Sequence, residues 1–515
     1  MEREINILPL IISTFFGSCR RLLCAQWLLI VAFYAIFANI PFWVASHWLL
    51  LLPLGWFCAE YALVGLLALF APRILSAALL LFVIAADLTS AVSKTYYLAP
   101  TECLVNIGSL HEFPGARLLV VAAIVVLVLL ITSIAAFFPV EAIRRTYRSR
   151  TAACLVALAV LAVSADCIAV VRETGHIPNP FGMERLSDAN KFSDFKNLWI
   201  CRYPAIRLVL NERLLGGKSN AMSVFQTDRS PVQSAAALAV RYASLAAGRG
   251  TQKMPNVVLI LVESWGLGLD SSIRSSLVGP YAQPGLLARY KVLQGSVPFY
   301  GSTVAGEARE LCGNKIGFHI LNISAQESQD CLPDLFVSLG YHSLALHGMD
   351  GRMFNRLTWY SRIGFQEQWF RDQFRQEGLP DCVGAFVGIC DADIAEWIGR
   401  RLGKEDATPD FIHWTTLNSH LPVPIPSGLP AGASCSLTSL LAQQSALCSW
   451  YQLVSNVHVS VSKMAMSHLA RQTVFVIVGD HAPPFANPAL RRQFSNTEVP
   501  YVVLIPRLGN CIADR

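Results

Sequence analysis

The chain has 515 residues, 53% of them apolar and only 15% charged, with a formal charge of +6. That balance is too apolar for one soluble domain, and the length admits two or three domains. The modest charge, with no basic run interleaved with aromatics, excludes a nucleic-acid binder.

The apolar excess lies before residue 172. A bilayer core needs about 20 mostly apolar residues per helix. Leu22–Ala45, Trp48–Phe70, Ile74–Tyr96, Leu118–Val140 and Thr151–Val171 meet that requirement. The first lacks a short apolar core with a small-residue cleavage site, so it reads as an uncleaved anchor. Arg20 and Arg21 precede the first span, Arg73 follows the second, and Arg144, Arg145, Arg148 and Arg150 lie between the fourth and fifth. Basic short loops stay cytoplasmic, which puts the N-terminus inside and everything after Val171 outside. Glu60 and Asp87 fall within predicted spans, where a carboxylate marks either a functional site or a buried pair.

Eight cysteines follow the last span, from Cys201 to Cys511. An even count in an exported segment predicts disulfides, with Cys382/Cys390 and Cys435/Cys448 as neighbours in sequence. Residues 172–255 read as a connecting region. Pro178, Pro180 and Gly182 mark turns, and Leu198–Leu214 and Val232–Ala247 suit interfacial or packing helices. Beyond it, Val257–Val262, Ser343–Leu346, Phe411–Thr416, Val474–Val478 and Tyr501–Ile505 are short β-rich runs alternating with helical stretches. That pattern predicts a mainly parallel sheet, whose ligands gather beyond the carboxyl ends of the strands.

Those ends carry the candidate chemistry. The first strand runs into Glu263, and the fourth into Gly479-Asp480-His481, a carboxylate and an imidazole suited to Zn2+ or Mn2+. Between them, Gly301-Ser302-Thr303 leads into a helical stretch with Glu307. A hydroxyl there is either a helix cap or, beside a divalent cation, a nucleophile for phosphorus. Ser302 and Thr303 both satisfy that description.

Glu263, Gly301-Ser302-Thr303 with Glu307, and Gly479-Asp480-His481 resemble the metal-site motifs of the alkaline phosphatase/sulfatase superfamily. In particular they resemble membrane-anchored lipoteichoic acid synthases and phosphoethanolamine or phosphoglycerol transferases. The resemblance implies a five-helix transmembrane domain (1–171), a connecting region (172–255) and an α/β alkaline-phosphatase-like domain with a mainly parallel central sheet (256–515). It implies one divalent metal on Glu263, Thr303, Asp480 and His481, with Thr303 as nucleophile. His347-Gly348 through Phe354-Asn355-Arg356 resembles the synthases' phosphate-holding segment, with Phe354 where they carry Trp. Thr416-Leu417-Asn418-Ser419-His420 resembles the segment supplying a histidine near the phosphate. Arg356, Asn355, Glu307 and His413 are the expected substrate contacts, and His420 and His347 the expected proton carriers. The implied reaction transfers a phospholipid headgroup phosphate, phosphoethanolamine or phosphoglycerol, to an extracytoplasmic polysaccharide or glycolipid. The alternatives are a phosphodiesterase, with water as acceptor, and an inactive glycan-assembly subunit. The Cys-x-Pro-x-Arg motif of true sulfatases is absent from the exported half, which argues against sulfate ester hydrolysis.

Overall fold

The computed structural model describes residues 27–53, 55–98, 102–103, 107, 112–137, 147–174, 201–202, 204, 228–247, 254–422 and 434–507. Arg20, Arg21, Arg144, Arg145, Cys511 and most of the connecting region lie outside them. The described residues form two compact units. One draws on the described residues within 1–92, 119–185 and 195–217, the other on those within 93–118 and 218–515.

Among the described residues, four helices are long and apolar enough to cross a membrane: Trp27–Trp48, Arg73–Tyr96, Gly115–Phe137 and Arg148–Ala165. The second predicted span, Trp48–Phe70, is not one helix. Leu50 and Gly55 take positive φ of 53° and 123° around Pro53; Trp48 ends one helix, and among the described residues of the span after it only Ala59–Ala68 are α-helical. Ten residues rise about 15 Å, half a hydrocarbon core. Asp87 proves to be paired. Its carboxylate accepts from Arg202 Nε at 2.8 Å and Tyr61 Oη at 2.9 Å, both buried. Arg202 also donates to Asn39 Oδ1 at 2.7 Å and Gly55 O at 2.5 Å, and its guanidinium lies 3.5 Å from the Phe42 ring centroid.

The second unit is built on a seven-stranded sheet. In chain order its strands are β1 (Asn256–Val262), β2 (Tyr290–Pro298), β3 (His342–His347), β4 (Glu367–Trp369), β5 (Asp410–Thr415), β6 (Thr473–Gly479) and β7 (Glu498–Pro506). Across the sheet they run β2, β7, β6, β1, β5, β3, β4. The five from β6 to β4 are parallel, whereas β7 and β2 join antiparallel. The sheet is therefore mixed, with a parallel centre. All five predicted strands are present. β1 and β6 are buried at every position, as their unbroken Val/Ile/Leu/Phe runs require of central parallel strands. The two missed strands lack that signal: β2 alternates poorly and is half exposed, and β4 is three residues long. Disulfides join Cys382 to Cys390 and Cys435 to Cys448, the expected neighbours, and also Cys312 to Cys331.

Candidate metal centre

Parallel strands deliver their last residues to one edge, and the neighbours β1 and β6 do so here. Gly479 pairs with Val262, so Glu263 and Asp480 leave the sheet side by side. A side chain at Gly479 is impossible, because a Cβ would sit 1.9 Å from Trp265 O. Ser264 takes a left-handed φ of 57°. That turn lets its amide donate to Asp480 Oδ1 at 2.7 Å and its hydroxyl to Glu263 Oε1 at 2.7 Å.

Helix α1 (Thr303–Cys312) brings the hydroxyl. It is buried at every residue and ends at Gly313 in the left-handed region, with φ 64°. Gly306 lets it approach Asp480, where a Cβ would lie 3.0 Å from the Asp480 Cβ. Thr303 Oγ1, at the positive end of this helix, donates to Glu263 Oε2 at 3.1 Å and lies 3.4 Å from His481 Nε2. His481 Nε2 is in turn 3.6 Å from Glu263 Oε1 and 3.3 Å from Asp480 Oδ2.

Glu263, Asp480 and His481 offer ligand atoms within 4.8 Å of one another. His481 Nδ1 faces Ala482 O at 2.9 Å. That contact requires the proton on Nδ1 and leaves the Nε2 lone pair pointing at the cluster, the arrangement of a metal-binding imidazole. Asp480 Oδ2 is buried with no hydrogen-bond partner. Burial, and then the Glu263 charge, pushes the Asp480 carboxyl well above its ordinary value. Two dry carboxylates this close ionise together only with a cation between them. The donor set, two carboxylates, one imidazole and one hydroxyl, fits a divalent ion of the zinc or manganese type.

A second tier lies around Glu307. The carboxylate is fully buried and accepts from Arg356 Nε at 3.0 Å, Tyr360 Oη at 2.6 Å and Thr415 Oγ1 at 3.0 Å. Burial raises its pKa, but Arg356 and His413 outweigh burial and hold it well below the carboxylate range. Glu307 therefore positions Arg356. Arg356 Nη1 is buried and unpartnered, which leaves one N–H edge of the fork for an anion. His413 is fully buried between Thr415 Oγ1, at 3.1 Å, and the rings of Tyr360 and Phe365. Of the expected substrate contacts, Arg356 Nη1 and His413 Nδ1 are buried without a partner, whereas the Glu307 carboxylate is filled by donors from the protein. Asn355 is exposed and accepts from Thr358 Oγ1 at 2.7 Å. It and Phe354 both hold positive φ, 52° and 53°.

His347, at the end of β3, turns Nδ1 to Thr415 O at 2.9 Å; burial and the Arg356 charge lower its pKa to about 4. His420 turns Nδ1 to Leu421 O at 2.7 Å, and burial lowers it too, against the pull of Glu263. Both rings are neutral near pH 7, with Nε2 able to accept a proton. The segment bearing His420 is braced by Ser419 Oγ on Glu263 O at 2.5 Å and Thr416 Oγ1 on Glu263 N at 3.0 Å. Asp391 braces it again, accepting from the amides of Leu417 and Asn418 at 2.9 and 2.8 Å. Burial raises the Asp391 pKa to about 7.

Sequence reasoning passed over Ser264, Arg309 and Asp391, whose roles depend on backbone groups distant in the chain. Arg309 is fully buried, pairs with Glu310 at 2.7 Å, and donates to Gly479 O at 2.6 Å and Asp480 O at 3.2 Å. A signal existed in Glu307, Arg309 and Glu310, three charges on one short helix that is buried at every residue.

Residues 255–509 match the Sulfatase family model. They form a sulfatase-family domain, which covers about half of the chain. No curated protein matches the chain significantly. Among solved structures, the lipoteichoic acid synthase LtaP from Listeria monocytogenes is 17% identical, with a TM-score of 0.40 over 51% of this chain and 68% of that one. The phosphoglycerol transferase GacH from Streptococcus pyogenes, in complex with sn-glycerol-1-phosphate, is 14% identical, with a TM-score of 0.34 over 54% and 77%. The periplasmic domain of EcEptC from Escherichia coli, in complex with Zn, is 13% identical, with a TM-score of 0.31 over 49% and 73%.

Proposed function

We propose that the chain is a membrane-anchored phosphotransferase. It moves the headgroup phosphate of a membrane phospholipid, phosphoethanolamine in preference to phosphoglycerol, onto an extracytoplasmic polysaccharide or glycolipid. The observation that carries this reading is the convergence of Thr303 Oγ1 on Glu263 and His481 at a helix N-terminus. A divalent ion, Zn2+ or Mn2+, held by Glu263, Thr303, Asp480 and His481 would supply Lewis-acid charge and lower the pKa of the threonine hydroxyl.

The reaction has two halves. In the first, Thr303 Oγ1 bonds to phosphorus, the phosphorus–oxygen bond to diacylglycerol breaks, and the threonine proton ends on the departing oxygen. In the second, an acceptor hydroxyl bonds to phosphorus, the Thr303 bond breaks, and the acceptor's proton returns to Thr303. His420 and His347 are the proton carriers, each with Nδ1 tied to a backbone carbonyl and Nε2 left to accept. Arg356 Nη1 supplies a donor for a non-bridging oxygen.

The topological reading is a transmembrane domain over 1–171, a connecting region over 172–255 and a catalytic domain over 256–515, with the N-terminus cytoplasmic and the catalytic domain outside. The arginine placement and three disulfides support it. Peptide mass spectrometry of the full chain in detergent, after incubation with mixed phospholipids, tests the chemistry. A headgroup phosphate on Thr303 is expected, and its mass names the headgroup. An adduct on Ser302, whose buried hydroxyl has no partner, overturns the nucleophile assignment.

A further inference from the structure

The candidate centre is nearly closed to solvent: Glu263, Thr303, Asp480 and His481 are exposed by 3%, 7%, 0% and 3%. Part of the cover comes from far away in the sequence. The described residues of Ser93–Leu118, from the end of the Arg73–Tyr96 helix to the start of the Gly115–Phe137 helix, belong to the same compact unit as the sulfatase-family domain. Tyr97 holds a left-handed φ of 57°, a conformation a bulky residue keeps only when its surroundings compel it. Its ring lies 5.6 Å from the His481 ring and meets Phe299 edge-on at 5.7 Å. Its carbonyl borders Gly301, just before the nucleophile, where a Cβ would come within 3.9 Å. Tyr96 stacks on the His420 ring at 5.9 Å.

The strap is pinned. Arg491 donates to Lys94 O at 3.0 Å and to Thr95 O, and its guanidinium covers the Tyr97 ring at 4.7 Å. Farther along, Arg117 donates to Ala385 O and Pro422 O, both at 2.8 Å, and Glu112 pairs with Arg371 at 2.6 Å.

We infer that Tyr97, held by Arg491, is a specificity-determining residue that keeps water from phospho-Thr303 and so makes the domain a transferase rather than a phosphodiesterase. This rests on the Thr303 chemistry proposed above. Transfer and hydrolysis differ only in the oxygen that bonds to phosphorus as the Thr303 bond breaks; in both, the attacking hydroxyl's proton returns to Thr303. A close-packed aromatic wall excludes a small, indiscriminate nucleophile, while an extended acceptor can bring its own binding energy to shift the strap.

The test uses the full chain in vesicles of phosphatidylethanolamine and phosphatidylglycerol with no glycan acceptor, so that water is the only acceptor besides the lipids. The wild-type protein is expected to hold a long-lived adduct on Thr303 and to release soluble headgroup phosphate slowly. Tyr97→Ala should shorten the adduct lifetime on the order of tenfold, with metal content and the rate of adduct formation unchanged. Tyr97→Phe should match wild type, because the ring and not the hydroxyl forms the wall. Should the alanine variant not fold, Tyr97→Leu replaces it, with a smaller effect of the same sign. An adduct in Tyr97→Ala or Tyr97→Leu as durable as in wild type overturns the inference. A wild-type chain with no adduct on Thr303 refutes the transferase reading instead.

Discussion

Ser264 is the residue on which the geometry of the candidate metal centre turns. Its left-handed backbone aims its amide at Asp480 while its hydroxyl orients Glu263. Glycine tolerates that backbone, so Ser264→Gly removes only the hydroxyl. Metal affinity, measured by competition with a chromophoric chelator, should fall about 10–100-fold, as for other partners of metal ligands. His347 offers a second handle. Its folded-state pKa is about 4 against 6.5 for the free group. Between those values the unfolded chain binds the extra proton. The stability this group contributes is therefore full above about 6.5 and is lost as pH falls to about 4. The effect is on the order of 3 kcal/mol at most. His347→Gln should flatten the decline in thermal midpoint over that window, read by differential scanning fluorimetry across a pH series.

At the scale of elements, the helix carrying Thr303 and the strand carrying Asp480 are held in register by Arg309. It reaches from α1 to the carbonyls of Gly479 and Asp480 while its charge is met by Glu310. Glu310 also accepts from Ser234 Oγ at 2.9 Å and Ala236 N at 3.0 Å, so the same pair fixes the start of the Ala236–Ala247 helix. Breaking a buried pair from one side costs about 3–5 kcal/mol. Arg309→Met should lower the melting midpoint accordingly and leave purified protein short of metal. The central strands were legible in the sequence because burial on both faces demands unbroken apolar runs. The edges were not: β2 and β4 are set by pairing with β7 and β3 rather than by their own composition. Nor was the break in Trp48–Phe70, where hydropathy alone gives no weight to a turn at Leu50 and Gly55.

At the scale of the molecule, the chain comes back on itself twice within its own units. In the apolar unit, Arg202 returns beside Asp87, Asn39 and Gly55. Asp87→Ala should destabilise that unit by about 3–5 kcal/mol. Asp87→Leu combined with Arg202→Met should recover much of the loss, since no unpaired charge remains; thermal unfolding in detergent compares the two. In the other unit, Tyr96 and Tyr97 lie against His420 and His481.

The sequence alone determined the apolar first third and the parallel strand core, and it singled out Glu263, Thr303, Asp480 and His481 as candidates. These follow from local pattern: hydropathy over a span, β-branched runs, and polar residues placed just after them. Only the tertiary structure decided that Glu307 braces Arg356, that Asp87 is neutralised by Arg202, and that Tyr97 covers His481. Each of those roles is a pairing between residues from 49 to 384 positions apart, as the Glu307–Arg356 and Tyr97–His481 contacts mark out. No local pattern specifies such a partner, because burial of charge and ring is settled only when the chain has closed around it.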